Sequence, residues 1–327
     1  MKLPRRQFLH LAAAALCVLS LSMYGHSAWS QTKRAIKIVV PFAAGGGSDI
    51  VARLLADHIA RTFGATTLVE NRPGAGTVIA TEAVARAAPD GGTVLMVANS
   101  FVINPNLKKL NYDPRTSFEP VCHLTRSPNV IIVNSASPYR TLADLINAAR
   151  AKPGELTMAF NGPATSQHIG AEKLKRIANF NMIQVPYAGS APAVNALLGE
   201  HVTSLFVNLP SAGAQVRAGK LRVLAVASGA RSQSLPEVPT VAEAGYKDYE
   251  EEEVWFGVVA PAKTPGEAVS QLASWFSVAV RAPEIGQKLA VEELYPVGAC
   301  EADFATYLRK QYDAYGRVIR EANIKAE

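Results

Sequence analysis

Histidine and cysteine are scarce in this 327-residue chain, at six and three copies. Beyond residue 30 only His58, His123, His168, His201, Cys122 and Cys300 remain. There is no H-E-x-x-H pair and no cysteine spacing of a metal site, so the usual sequence signs of a zinc centre are missing. No G-x-S-x-G elbow presents a serine nucleophile. No G-x-x-x-x-G-K-[ST] loop cradles nucleotide phosphates. Gly74-x-Gly76 fails as a dinucleotide fingerprint, because Ile79 stands where Gly or Ala is needed. No run of Lys or Arg interleaves with aromatics, which argues against nucleic acid. The one long apolar run, Leu11 to Leu21, is too short and too rich in Ala for a membrane span.

That run belongs instead to a secretory signal peptide over residues 1–30. Arg5 and Arg6 precede it, and Ala28-Trp29-Ser30 supplies a small-x-small cleavage pattern before Gln31. Arg5-Arg6-Gln7-Phe8-Leu9 fits a twin-arginine signal, and equally a Sec signal with two arginines in its basic region. Leu16 before Cys17 spoils a lipobox. Cleavage removes Lys2, Arg5 and Arg6 and no acid, so the formal charge falls from +6 to +3. That surplus is mild. The one charge block is acidic, Glu250 to Glu253, and reads as a solvated face. An exported protein is permitted a disulfide, but nothing in the spacing brings Cys122 and Cys300 together. Both read as free, mostly buried thiols. A mature chain of about 300 residues has room for two domains.

What is present is a repeated strand–loop–helix grammar. Its leading instance is Ile36 to Phe63. An apolar run (Ile36, Ile38, Val39, Val40) ends at Pro41. The loop Gly45-Gly46-Gly47 follows. Ser48-Asp49 then opens a helix with Ile50, Val51, Leu54, Leu55 and Ile59 on one face and His58 on the polar one. The first N–H groups of a helix lack intrahelical partners and carry partial positive charge. Glycines let backbone approach a ligand closely. The junction is a candidate cradle for a carboxylate or phosphate; an ordinary capped βα turn has the same signature.

Two junctions repeat the pattern. The strand Leu156 to Phe160 runs into Asn161-Gly162-Pro163-Ala164-Thr165-Ser166-Gln167-His168 before a helix. The strand Ile183 to Tyr187 runs into Ala188-Gly189-Ser190, with Ser190 as N-cap. His168 reads either as a ligand contact in the first helical turn or as a partly exposed surface imidazole. Elsewhere Thr77 to Ala88 reads as a helix with Ile79 and Val84 inward. Asn104-Pro105 reads as the start of an irregular stretch. Val121–Leu124 and Val130–Val133 read as separate strands, and Thr141 with Asp144 as a capping box. Helices are expected over 265–282 and 302–323. Alternating strands and helices imply mostly parallel sheets. Helix starts near residues 47, 165 and 190 would converge on one cleft if two domains face each other.

The chain closely resembles the Bug-type periplasmic solute-binding receptors of tripartite tricarboxylate transporters. The resemblance rests on IVVPFAAGGGSD (38–49), VENRPGAGT (69–77), APDG (88–91), INPNL (103–107), YDP (112–114), AKPGEL (151–156), VPYAGSAPAVNALLGE (185–200), LPSA (209–212), AGKLRVLAVAS (218–228), LPEVPTVAEAGY (235–246) and WFGVVAPA (255–262). It implies an α/β, two-domain Venus-flytrap fold with mostly parallel sheets and flanking helices. Residues 31–131 and 253–327 would form one domain and 132–252 the other. It further implies capture of a small mono- or dicarboxylate, aliphatic or aromatic, partly through waters, and delivery to membrane permease subunits from the periplasm. No cofactor, metal, catalytic residue or nucleic-acid partner is expected, and the protein is expected to be a monomer.

The ligand-binding residues carried over are Phe42, Ala43, Gly46, Gly47, Ser48 and Asp49 on the first loop, and Asn99 and Ser100 at a polar strand end. Asn161, Ala164, Thr165, Ser166 and His168 follow on the second loop, with Tyr187 and Val207. One departure bears on the ligand. A D-x-x-F-D pattern of many members is here Thr203 and Val207, and a valine cannot meet an ammonium group, so a ligand without an amine is expected. Val207 and Asn208 equally suit a plain wall. Phe101 adds apolar surface for a hydrophobic ligand body. Two other readings stand beside the transport receptor. One is a periplasmic sensing subunit for a signalling partner. The other is a hydrolase or isomerase, for which Ser166 and His168 are the only nucleophile and base near each other in sequence.

Overall fold

Strand β1 (Ala35–Val40) shows how the sequence builds the first half of the molecule. Its side chains alternate, as a pleated strand requires. Ile36, Ile38 and Val40 enter one apolar cluster with Val51, Leu55 and Ile59 of helix α1 (Gly47–Phe63), while Val39 enters a second cluster on the other face. The computed structural model describes residues 35–249, 252–322 and 324. The expected signal peptide, with Cys17, and residues Glu250 and Glu251 lie outside that set.

β1 pairs in parallel with β2 (Thr66–Asn71) and β3 (Thr93–Val97). Helix α2 (Val78–Ala85) precedes β3, and helix α3 (Ser100–Leu107) follows it. The next strand, β4 (Phe118–Asn134), is shared between two halves. Its second part pairs antiparallel with β7 (Ser204–Asn208) and β8 (Leu221–Val226). β7 continues in parallel to β5 (Thr157–Phe160), and β5 to β6 (Ile183–Pro186). Helices α4 (Leu142–Ala151), α5 (Ser166–Ala178), α6 (Ser190–Leu198) and α7 (Leu209–Arg217) clothe this second half. The chain returns through β9 (Glu253–Pro261), which lies antiparallel between β3 and the first part of β4. Helices α8 (Gly266–Arg281) and α9 (Pro283–Val291), strand β10 (Tyr295–Cys300) and helix α10 (Ala302–Ala322) close the first half. Pairing is therefore parallel in the outer strands of each half and antiparallel where β4 and β9 carry the chain across.

Several local expectations need correction. Val121–Leu124 and Val130–Val133 belong to one strand, in which Pro128 sits where β4 exchanges β9 for β7. Asn104-Pro105 lies inside α3, where the proline forfeits one helical bond while flanking residues hold the turn. Val84 points inward, but Ile79 is half exposed, because residues five apart on a helix of 3.6 residues per turn do not share a face. His58 is buried: Glu284 of α9 stands 3.0 Å from Nδ1 and Thr62 Oγ1 lies 3.1 Å from Nε2. The capping box of Thr141 and Asp144 is present as expected.

Cys122 and Cys300 are not free thiols. They face each other as register partners of β4 and β10 and form a disulfide. β10, with Pro296 and Gly298 among its six residues, has loop-like composition, so the strand that presents Cys300 was not anticipated. The acidic block is likewise no solvated face at Glu252, which is 2% exposed. Its carboxylate lies 2.7 Å from Lys173 Nζ of α5 and accepts from Tyr315 Oη of α10 at 2.7 Å. Its carbonyl accepts from Asn129 Nδ2 at 2.7 Å. This buried network ties both halves to the strand that crosses between them.

Candidate functional site

Five strand or loop ends meet between the halves, and each opens a helix. The first half contributes the start of α1 (Gly46, Gly47, Ser48) and the start of α3 (Asn99, Ser100). The second contributes the starts of α5 (Thr165, Ser166, Gln167), α6 (Ser190) and α7 (Asn208). Together with Phe42, Ala98, Asn161, Val254 and Phe256 they line a narrow chamber. Sequence spacing pointed to three of these helix starts; Asn99-Ser100 and Asn208 add two more.

The chamber is lined by neutral polar groups. No Lys, Arg, Asp or Glu lines it. Uncapped helix N–H groups and the helix dipoles supply positive potential, and the hydroxyls of Ser48, Ser100, Thr165, Ser166 and Ser190 surround them. Asn161 Oδ1 and Asn208 Nδ2 are buried without a hydrogen-bond partner. An unpartnered buried polar atom is costly, so both are poised for a bound molecule or its waters.

The α1 start is held open by its surroundings. Gly45 has φ +82°, a left-handed conformation suited to glycine. Its N–H donates to Asp49 Oδ2 at 2.9 Å. Gly47 N–H donates across the cleft to Ser211 Oγ at 3.0 Å. Ser211 and Ser190 in turn donate to Asn208 Oδ1, at 3.0 and 3.2 Å. A side chain at Gly47 has no room: its Cβ would lie 2.3 Å from Asn208 Nδ2 and 3.2 Å from the Phe256 ring. Opposite, Thr165 caps α5 by accepting from His168 N at 3.2 Å and donating to Gly162 O at 2.8 Å. Ser166 Oγ accepts from Asn129 Nδ2 at 3.2 Å, and Gln167 Nε2 donates to Asn129 Oδ1 at 2.6 Å. At the floor, Asn99 Nδ2 donates to Glu253 O and Tyr315 Oη, and its Oδ1 accepts from Trp255 N.

Nine of the expected site residues line this chamber: Phe42, Gly46, Gly47, Ser48, Asn99, Ser100, Asn161, Thr165 and Ser166. Tyr187 instead lines a second, outer chamber of about 270 Å³ that meets the first at Phe42 and Asn161. The remaining five are placed elsewhere. Ala43 packs against Gly189. Asp49 is buried by its own loop. Burial alone would raise its pKa, but hydrogen bonds from Arg53, the Gly45 N–H and Asn71 outweigh that and hold the carboxyl below the usual range. Ala164 sits in an apolar cluster with Ile169. His168 is buried and stacked on Phe160 at 4.9 Å, its Nδ1 accepting from Ala164 N at 3.4 Å. Val207 alternates with Phe206 along β7 and enters the core beside Leu205, away from the cleft.

Reasoning from sequence missed Gln167, Ser190, Phe256 and Ser211 as site residues, and gave Asn208 only as a wall. The Asn208 signal was local: a polar strand end directly before a helix with Pro210 in its first turn. Ser190 follows Gly189, the N-cap, and turns its hydroxyl to Asn208 instead of capping its own helix.

The family model described as the tripartite tricarboxylate transporter family receptor matches residues 51–324. BugT of Bordetella pertussis (strain Tohama I) is 34% identical over 304 residues, covering 91% of this chain and 92% of BugT. The solved periplasmic binding protein BugD is 32% identical with a TM-score of 0.86, covering 90% of this chain and 99% of that one. An R. palustris protein solved with adipate is also 32% identical with a TM-score of 0.86, covering 91% and 99%.

Proposed function

The chain belongs to the tripartite tricarboxylate transporter receptor family, and from that premise we propose that it captures a small carboxylate in the inner chamber and delivers it to a membrane permease of that transporter type. Its fold is that of the α/β periplasmic binding proteins, and its relatives are solute receptors. One observation carries the proposal. Helix starts from both halves converge on a chamber whose lining has no ionised side chain. Such a site favours a compact anion that accepts several N–H and O–H bonds at once. The adipate held by the R. palustris protein supports a carboxylate.

In this reading residues 31–131 with 253–327 form one domain and 132–252 the other, and they close around the ligand about β4 and the start of β9. The protein works as a monomer in the periplasm, without cofactor and without catalysis.

Thermal denaturation of the purified protein with carboxylates, amino acids and sugars tests the binding half. A ligand at 100 times its Kd adds about 2.7 kcal/mol of stability. Stabilisation by acids is expected; stabilisation by sugars alone, or by no acid, defeats the proposal. Deleting the gene tests the delivery half. Loss of uptake of the bound acid is expected. Intact uptake with a lost transcriptional response would assign the protein to sensing instead.

A further inference from the structure

The two chambers differ in what they offer a ligand. The inner one is ringed by helix starts and hydroxyls. The outer one has no ionised side chain in its lining either, and its exposed surface is mostly apolar. Three of its walls are Pro41, Pro163 and Pro186, which carry no N–H. Tyr187 N–H is used by Phe160 O at 2.9 Å, and Thr77 N–H by Gly74 O at 3.0 Å. The Thr77 hydroxyl donates to Ser100 Oγ at 3.2 Å and accepts from Asn104 Nδ2 at 3.3 Å. The aromatic rings of Phe42 and Tyr187 complete an apolar surface.

The loop Gly74 to Thr77 sets this wall. All four residues have positive φ, including the non-glycines Ala75 (+48°) and Thr77 (+81°). Such backbone is strained and persists only when its surroundings hold it. Here Asn104 Nδ2 donates to Gly76 O at 2.7 Å and Lys108 Nζ to Ala75 O at 3.2 Å. Gly76 meets the opposite half, since a Cβ there would lie 3.1 Å from Pro163 O. The Lys108 ammonium, engaged by Ala75 O, does not belong to the lining of the chamber.

Building on the carboxylate reading above, we infer that the outer chamber takes an uncharged, apolar end. The ligand is then a monocarboxylate with an aliphatic or aromatic body, not a dicarboxylate or an amino acid. A second carboxylate would leave water for a mostly apolar wall with no cation in its lining, which is unfavourable. An ammonium group would find no carboxylate, because Val207 is in the core and Asp49 is already engaged.

Calorimetric titration of matched pairs decides the matter: hexanoate against adipate, benzoate against terephthalate, and 3-phenylpropanoate against phenylalanine, with hexanol as the acid-free control. The monoacid of each pair is expected to bind at least about tenfold tighter. The Ala188→Lys variant adds a cation to the exposed rim of the outer chamber and is expected to narrow or reverse the hexanoate preference. Diacids binding as tightly as monoacids, or more tightly, overturn the inference while the carboxylate reading stands. If Lys108→Gln then abolishes the diacid advantage, the second carboxylate belongs to Lys108. Binding of hexanol with no binding of any acid overturns both. Mass spectrometry of the denatured protein gives an independent check, since a copurified diacid or amino acid would contradict the inference directly.

Discussion

Helices α1 and α5 begin on opposite walls of the same chamber, and they are finished in opposite ways. The α5 start is complete within its own half: Thr165 caps the helix and ties back to Gly162. The α1 start has no side-chain cap at Gly46, and its Gly47 N–H is satisfied by Ser211 from the other half. One wall is therefore preformed within its own half, and the other is completed from across the cleft. In the two-domain reading proposed above, the binding energy of a ligand at α1 would be coupled to the meeting of the halves, whereas α5 holds its cap within its own half.

The strongest way to break this contrast is to remove the anchor of the preformed wall. Lys173 on α5 pairs with the buried Glu252 at the crossing strand. Lys173→Ala should lower stability by about 3 kcal/mol, because it removes the ammonium paired with a buried carboxylate; urea denaturation measures this. Next comes Gly47→Ala, where the added methyl would press on Asn208 and Phe256. Overpacking of this kind costs about 1–3 kcal/mol. The loss should fall on ligand affinity in titration more than on unfolding of the ligand-free protein.

A paired comparison sharpens the contrast further. Thr165→Ala should cost about 1 kcal/mol of stability even without ligand. Ser211→Ala should leave the ligand-free protein's melting temperature nearly unchanged and weaken binding by a few fold, in line with one hydrogen bond of about 1 kcal/mol. Equal effects of both variants on the ligand-free protein would end the distinction between a preformed and a completed wall.

The smallest effect is acid dependence. Asp49 has a lowered pKa in the folded protein, so its contribution to stability is complete above its ordinary value of 3.8 and is lost as pH falls through the lower folded value. Asp49→Asn should flatten the stability profile in that acid range, and the wild-type minus variant difference should be constant near neutral pH.

The sequence made the α1 and α5 junctions readable for a simple reason. Pro41, the three glycines and Ser48-Asp49 act over one turn of chain, as do Thr165 and the capping box at Thr141. Asn208 and Ser211 were harder, because what they do is done across the cleft. Val207 and Asn208 are neighbours with opposite fates, and only the register of β7 against β4 and β5 decides which one faces the ligand. His168 looked like a contact because it sits in a first helical turn, but the ring of Phe160 covers it.

By itself, then, the amino-acid order determined the α/β alternation, the family, and the helix starts able to hold an anion, because periodicity and capping are short-range chemistry. Tertiary structure alone decided the pairing of Cys122 with Cys300 across 178 residues and the burial of Glu252 between Lys173 and Tyr315. It alone brought Ser211 to Gly47 and made five helix starts share one chamber. Those contacts join residues far apart in the sequence, and what brings them together is the packing of whole sheets, which no short stretch of sequence encodes.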